Sequence, residues 1–276
     1  MASRRRGTTE AQFDKWVKEG RGSGQHAGYK PWLKVNDLPS QGRVHRIYGY
    51  KSRRTHHLLS DLELAVFLML EWHPSVTQIR EQFPLQRTLT RKLAKQAGIK
   101  HPCIAGVDQY MSSDFLVNSV EPDRPKFVLQ AKYKEALEDP HTVEKLELER
   151  RYWRSKSLPW FLVTEKEVPQ AVLRNIQWLY PAQHRSESDV ELDLQQIQFY
   201  AHHLEANPDK TLVAVCKKLD VAYDLSPGDS LFEMRQLLAK RYFKFDIGVP
   251  NTKLKAKDLQ PGDLSHIREA YLVSNQ

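Results

Sequence analysis

Four polar residues interrupt apolar runs in places where chemistry could be done. Glu63 sits within Ser60-Asp61-Leu62-Glu63-Leu64-Ala65-Val66-Phe67, Asp114 within Ser113-Asp114-Phe115-Leu116-Val117, and Gln130 and Lys132 end the run Lys126-Phe127-Val128-Leu129-Gln130-Ala131-Lys132. The runs 111–117 and 126–133 read as strands joined across a proline-punctuated break, Glu121-Pro122-Asp123-Arg124-Pro125. Side chains alternate along a strand, so Val128, Gln130 and Lys132 share one face while Phe127, Leu129 and Ala131 take the other. If the two strands pair as a hairpin, Gln130 and Lys132 project near Asp114.

Phosphodiester hydrolysis suits that residue set. It needs an activated hydroxide, and positive charge where negative charge develops. Glu63 and Asp114 offer hard oxygen ligands for Mg²⁺ or Mn²⁺, and Mg²⁺ binds through one or two carboxylates while keeping several waters. Lys132 offers a mobile cation, to orient the attacking water or to stabilise the phosphate. Gln130 offers a neutral carbonyl oxygen. Taken singly, each has a plainer reading. Ser60 to Glu63 fits a capping box, Asp114 could start a strand or close a turn, and Lys132 could be a solvated edge residue. Glu149 lies in the charge-rich stretch 144–151, where a solvated helix face with i to i+4 pairs is favoured over a place at the edge of the site.

An acid on a helix, an Asp at a strand and a polar residue-x-Lys on the next strand resemble the restriction-endonuclease-like superfamily. More closely, the chain resembles the TnsA endonuclease subunits of heteromeric cut-and-paste transposons. The supporting stretches are 56–67, Gln78-Ile79-Arg80-Glu81-Gln82-Phe83-Pro84-Leu85, Gly106-Val107-Asp108-Gln109, 113–117, Gln130-Ala131-Lys132 and Leu146-Glu147-Leu148-Glu149-Arg150-Arg151-Tyr152-Trp153. The resemblance implies a catalytic set of Glu63, Asp114 and Lys132, and a metal held by Glu63, Asp114 and Gln130. Gln130 stands where many of the wider superfamily carry Asp or Glu, which leaves the number of metals open. It further implies Mg²⁺-dependent cleavage of the non-transferred strands at the transposon's 5′ ends. A recombinase similar to TnsB would process the 3′ ends, and an ATPase similar to TnsC would regulate both. The alternative is a noncatalytic protein that bridges DNA to other subunits on a nuclease fold.

The net charge of +8 is unevenly spread: residues 1–60 hold 13 Lys or Arg against 4 Asp or Glu. A basic arm that also carries Trp16, Tyr29, Trp32, Tyr48 and Tyr50 suits a phosphate backbone. A solubilising leader is the rival for Arg4 to Arg6. Gly20-Arg21-Gly22-Ser23-Gly24 is expected to order only on DNA or a partner. No apolar run of about 18 residues and no secretory leader occur, so the expected location is the bacterial cytoplasm beside the nucleoid, with no membrane partner. Cys103 and Cys216, far apart, are expected to be buried thiols. No phosphate loop of the GxxxxGK[ST] type, GxSxG or HExxH occurs.

Three regions are expected: a basic arm over 1–42, an α/β domain with a restriction-endonuclease-like mixed-sheet core over 43–168, and a mainly helical C-terminal domain over 169–276. Within the core the pattern predicts a strand over 43–50, a helix from Asp61 to Trp72 stopped by Pro74, and a strand over 76–83. A helix over 87–97 closed by Gly98 follows, then the two site strands, a helix from a Thr142 cap to about Lys156, and a strand over 159–164. Beyond it come helices over 169–179, 189–205, 211–223 and 229–240 and a strand over 242–247. Two short helices and a strand suggest a winged-helix unit, with a helical lid as the equal alternative.

Overall fold

The computed structural model describes residues 8–37, 43–183 and 190–262. Arg4 to Arg6 lie outside them. The chain divides into two compact units, Met1–Val168 and Pro169–Gln276.

In the first unit, α1 (Glu10–Lys18) precedes a hairpin of β1 (His45–Gly49) and β2 (Arg54–Leu58). Next come α2 (Asp61–Trp72), β3 (Val76–Pro84), α3 (Arg87–Ala97), and a short hairpin of β4 (Cys103–Ile104) and β5 (Val107–Asp108). The unit continues with β6 (Ser112–Ser119), β7 (Lys126–Ala131), α4 (Pro140–Ser155) and β8 (Trp160–Val163). The main sheet runs β3-β6-β7-β8, antiparallel except for the parallel pair β7 and β8. It is the mixed sheet expected of this fold.

Helices cover both faces of the sheet, so its strands are apolar on both sides. Leu116 and Val128 pack with Tyr152 and Trp153 of α4 and with Leu89 and Leu93 of α3. Phe127 and Leu129 face the opposite way, lining an apolar hollow with Val66, Met69 and Leu70 of α2. Helix ends follow local chemistry. Gly98 takes φ +67° and ends α3, as a C-cap glycine can. Asp139, not Thr142, caps α4: its carboxylate accepts from the backbone N–H groups of His141 and Thr142, with Pro140 in the first turn.

The amino-terminal segment departs from expectation. Phe13, Trp16 and Trp32 form a buried aromatic cluster, and Tyr29 is buried with its hydroxyl donating to the Glu81 carbonyl at 3.0 Å. The stretch 20–24 is tied to the segment after it, with Gly22 N–H bonded to Lys30 O and Lys30 N–H to Ser23 O. Gly24, at φ +91°, has a Cβ position 2.3 Å from the Gly28 carbonyl oxygen, so no side chain fits there. Buried aromatics close these backbone turns, which a reading of glycine content alone overlooks.

The second unit contains α5 (Gln170–Leu179), α6 (Val190–Glu205), α7 (Leu212–Ala222), α8 (Asp229–Ala239), β9 (Phe243–Lys244) and β10 (Gln260–Pro261). Its core includes Tyr200, Leu212, Val215, Cys216, Met234 and Leu237. The strand expected over 242–247 shrinks to two residues, paired antiparallel with β10. Cys216 is buried as expected, but Cys103 is exposed. Among the described residues no helix is long and apolar enough to cross a membrane.

Candidate active site

The α2 helix begins at Ser60, whose hydroxyl accepts from the Glu63 N–H at 3.0 Å. The Glu63 carboxylate folds back to accept from the Leu59 N–H at 2.9 Å and from the Ser60 hydroxyl at 3.2 Å. Glu63 therefore does complete a cap, and the same carboxylate is buried and points toward the sheet. Gln82 Nε2 donates both to Glu63 Oε2 and to Asp114 Oδ1, each at 3.2 Å. One amide thus ties together two carboxylates from separate elements.

Asp114 occupies the inner strand β6, flanked by β3 and β7. Its Oδ2 accepts from the Ala131 N–H at 2.8 Å, while its own N–H donates to Gln130 Oε1 at 3.0 Å. The two site strands therefore exchange side chain-to-backbone bonds where their ladder ends, the last paired residues being Phe115 and Leu129. Lys132 follows β7, its N–H held by Val163 O at 3.0 Å. Gln130, Lys132 and Glu149 share the lining of a cleft of about 860 Å³. The structure thus joins Glu63 to Asp114 through Gln82 and Asp114 to Gln130 directly, and sets Lys132 on the cleft beside Gln130.

Electrostatics set this group apart. Burial, then the nearby Asp114 charge, pushes Glu63 up to about 8, and burial likewise raises Asp114. The charge of Asp114, with Glu63 and Glu149 adding to it, raises Lys132 against the opposing effect of burial, so the ammonium form is held. The arrangement can bind a hard cation through two carboxylates and can place one further positive charge in the cleft.

Two participants were not read from sequence. Gln82 is buried at φ +48°, a left-handed conformation that side-chain-bearing residues seldom adopt. The pairs Glu81↔Phe115 and Phe83↔Ser113 flank it, which puts Gln82 opposite Asp114, and its side-chain Oε1 accepts from Ser112 Oγ at 2.9 Å. A glutamine in an otherwise strand-like run is a faint signal at best. Glu149 reverses its expectation. It is buried, with Oε1 accepting from Ser113 Oγ at 2.6 Å and Trp160 Nε1 at 2.9 Å, and burial pushes it up to about 8. Its place is on the inner face of α4, whose outer face carries the Glu147–Arg150 and Glu147–Arg151 pairs.

Part of the basic arm packs inward, while Tyr48 and Lys15, Lys18 and Lys30 stay exposed. Trp16, Tyr29 and Trp32 are buried and cannot stack on a ligand, and Arg21 pairs with Glu19 and Asp37. Their role is to close the unit beside the site: the Trp32 N–H bonds the Gln82 carbonyl at 3.1 Å.

The chain is similar to known proteins over its whole length. The family described as TnsA-like endonuclease N terminal matches residues 73–165, and that described as TnsA endonuclease C terminal matches residues 167–247. Over 275 residues, covering all of both chains, the sequence is 48% identical to transposon Tn7 transposition protein TnsA of Escherichia coli.

Proposed function

The chain belongs to the TnsA endonuclease family and is a DNA endonuclease of transposition; from that premise we propose that Glu63, Asp114 and Lys132 form its catalytic centre. In this reading it cuts the non-transferred strands at the 5′ ends of a transposon. A recombinase similar to TnsB cuts and joins the 3′ ends, and an ATPase similar to TnsC regulates both, on DNA in the bacterial cytoplasm. The observation that carries the reading is the buried pair Glu63 and Asp114, held within reach of one amide with no cation bonded to either carboxylate among the described residues.

The family implies a divalent metal ion, and the donor set fits one. Two buried carboxylates whose protons are hard to remove are what a divalent charge would stabilise in ionised form. Hard oxygen donors and a small carboxylate count suit Mg²⁺, with Mn²⁺ able to substitute. Glu63 and Asp114 would hold it, and Gln130 would contribute the second lone pair of an oxygen whose first is taken by the Asp114 N–H. When bound, the ion supplies Lewis acidity and lowers the pKa of water.

The chain's own residues do the rest. Lys132, kept protonated, presents its ammonium to the charge that grows on the phosphate oxygens. Gln82 fixes the spacing of the two carboxylates, and the Ala131 N–H fixes the orientation of Asp114. Replacing Asp114 by Ala tests the proposal. Loss of 5′-end cutting with assembly on transposon ends intact is expected, and undiminished cutting would remove Asp114 from the centre. A noncatalytic bridging role is not favoured, since it would give the buried carboxylates nothing to do.

A further inference from the structure

Trp16, Tyr29 and Trp32 of the arm are buried, while Tyr48 stays exposed. A run of uncovered positive charge lies beside the cleft, on α3 and the loop after it. Residues 87–101 contain Arg87, Arg91, Lys92, Lys95 and Lys100 and no acidic residue. Arg87 is bound to Glu10, and Arg91 to Asp108 at 2.7 Å. Lys92, Lys95 and Lys100 are exposed and have no carboxylate partner among the described residues.

Packing decides which way this charge points. Thr90 and Ala94 are buried, and Leu89 and Leu93 pack on the Leu116–Trp153 cluster. Lys92 and Lys95, three apart, therefore share the outward face, one turn from each other. The loop is pinned after the helix: Gly98 ends α3, and His101 Nε2 lies 2.9 Å from Thr90 Oγ1. His101 belongs both to the depression along α3 and to the cleft that holds Gln130, Lys132 and Glu149, and Lys100 lines that cleft. The basic surface is thus continuous with the site.

We propose that the outward face of α3, through Lys92 and Lys95 with Lys100 at the cleft edge, is the track on which the sugar-phosphate backbone of duplex DNA rests as the scissile phosphodiester enters the cleft. This rests on the nuclease reading of that cleft. Ammonium groups on phosphates hold position without reading sequence.

The test uses the full chain, with its recombinase partner, on a transposon-end duplex. In the Lys92→Gln, Lys95→Gln, Lys100→Gln triple variant, the plot of log affinity against log salt should flatten by about 0.9 per lost phosphate contact, so by roughly 2 to 3. Cutting should persist at low salt and fail at lower salt than in wild type. In wild type, the three lysines should be shielded from acetylation by the duplex. A Lys217→Gln, Lys218→Gln control on the second unit should leave the slope unchanged. An unchanged slope in the triple variant, or shielding by the protein partner without DNA, would overturn the proposal. The Asp114→Ala variant separates the two readings: if it still cuts, the nuclease centre is misplaced, while the salt slope speaks only to α3.

Discussion

Glu81 and Gln82 are neighbours on β3, yet they belong to opposite kinds of polar cluster. Glu81 is fully buried and ringed by polar partners: Arg54 bonds it through two nitrogens, His56 Nδ1 lies 2.8 Å away, and the His57 N–H donates at 3.1 Å. Burial alone would raise its pKa, but His56 and Arg54 outweigh it and bring it down to about 2. One residue on, Gln82 opens onto Glu63 and Asp114, where burial dominates and both carboxylates go up. The first cluster is neutralised from within and holds β2 to β3. In the second, Lys132 offsets the two carboxylates only in part and burial still raises both, which is the mark of a working site.

The largest contrast should appear in activity. Lys132→Ala should lower 5′-end cutting about a hundredfold to a thousandfold in single-turnover assays, the scale expected for a lost donor to developing charge, while Glu81→Gln, assayed well below its melting temperature, should cut at close to the wild-type rate. Comparable rate losses in both would mean that the two clusters are not separable. Stability should rank them the other way. Glu81→Gln strands Arg54 and His56 and should cost about 3 to 5 kcal/mol in urea unfolding. Asp114→Asn should change the stability of the metal-free protein by less than that, because the burial that opposes its charge is only partly offset by Lys132, the Ala131 N–H and Gln82.

The clusters should also titrate with opposite signs. Glu81 has a folded pKa below its ordinary 4.5, so its stabilisation is full above that value and is lost as pH falls toward 2. Glu63 has a folded pKa above 4.5, so in metal-free protein its contribution is full below 4.5 and is lost as pH rises toward 8. Urea midpoints across pH in chelator should therefore show two limbs, with Glu81→Gln flattening the acid one and Glu63→Gln the alkaline one. A single limb abolished by either change would contradict the division. The smallest expected effect is at the hinge between them. Gln82→Gly relieves a left-handed backbone and removes the bridging amide, so stability should move by under about 1 kcal/mol while cutting falls about tenfold.

Much of the core's order was legible from period and punctuation. The boundaries of α2 and α3 follow from Ser60, Pro74 and Gly98, and the alternation in 126–132 separates Val128 and Gln130 from Phe127 and Leu129 as the structure does. The misreadings share a cause. Local composition points Glu149, Trp32 and the 20–24 stretch toward solvent, but their partners are distant in sequence: Ser113 and Trp160 for Glu149, and the Phe13–Trp32 packing for the arm. A charged helix shows its solvated face in its sequence and hides its inner one.

The sequence by itself determined the elements and the chemistry they carry, because helix caps, strand alternation and residue type act over a few neighbouring positions. Tertiary structure alone decided that Gln82 would bridge Glu63 and Asp114, that Glu149 would be buried, and that the unpaired charge near the cleft would lie on α3. Burial and charge compensation depend on which distant segments meet, and no local pattern records that.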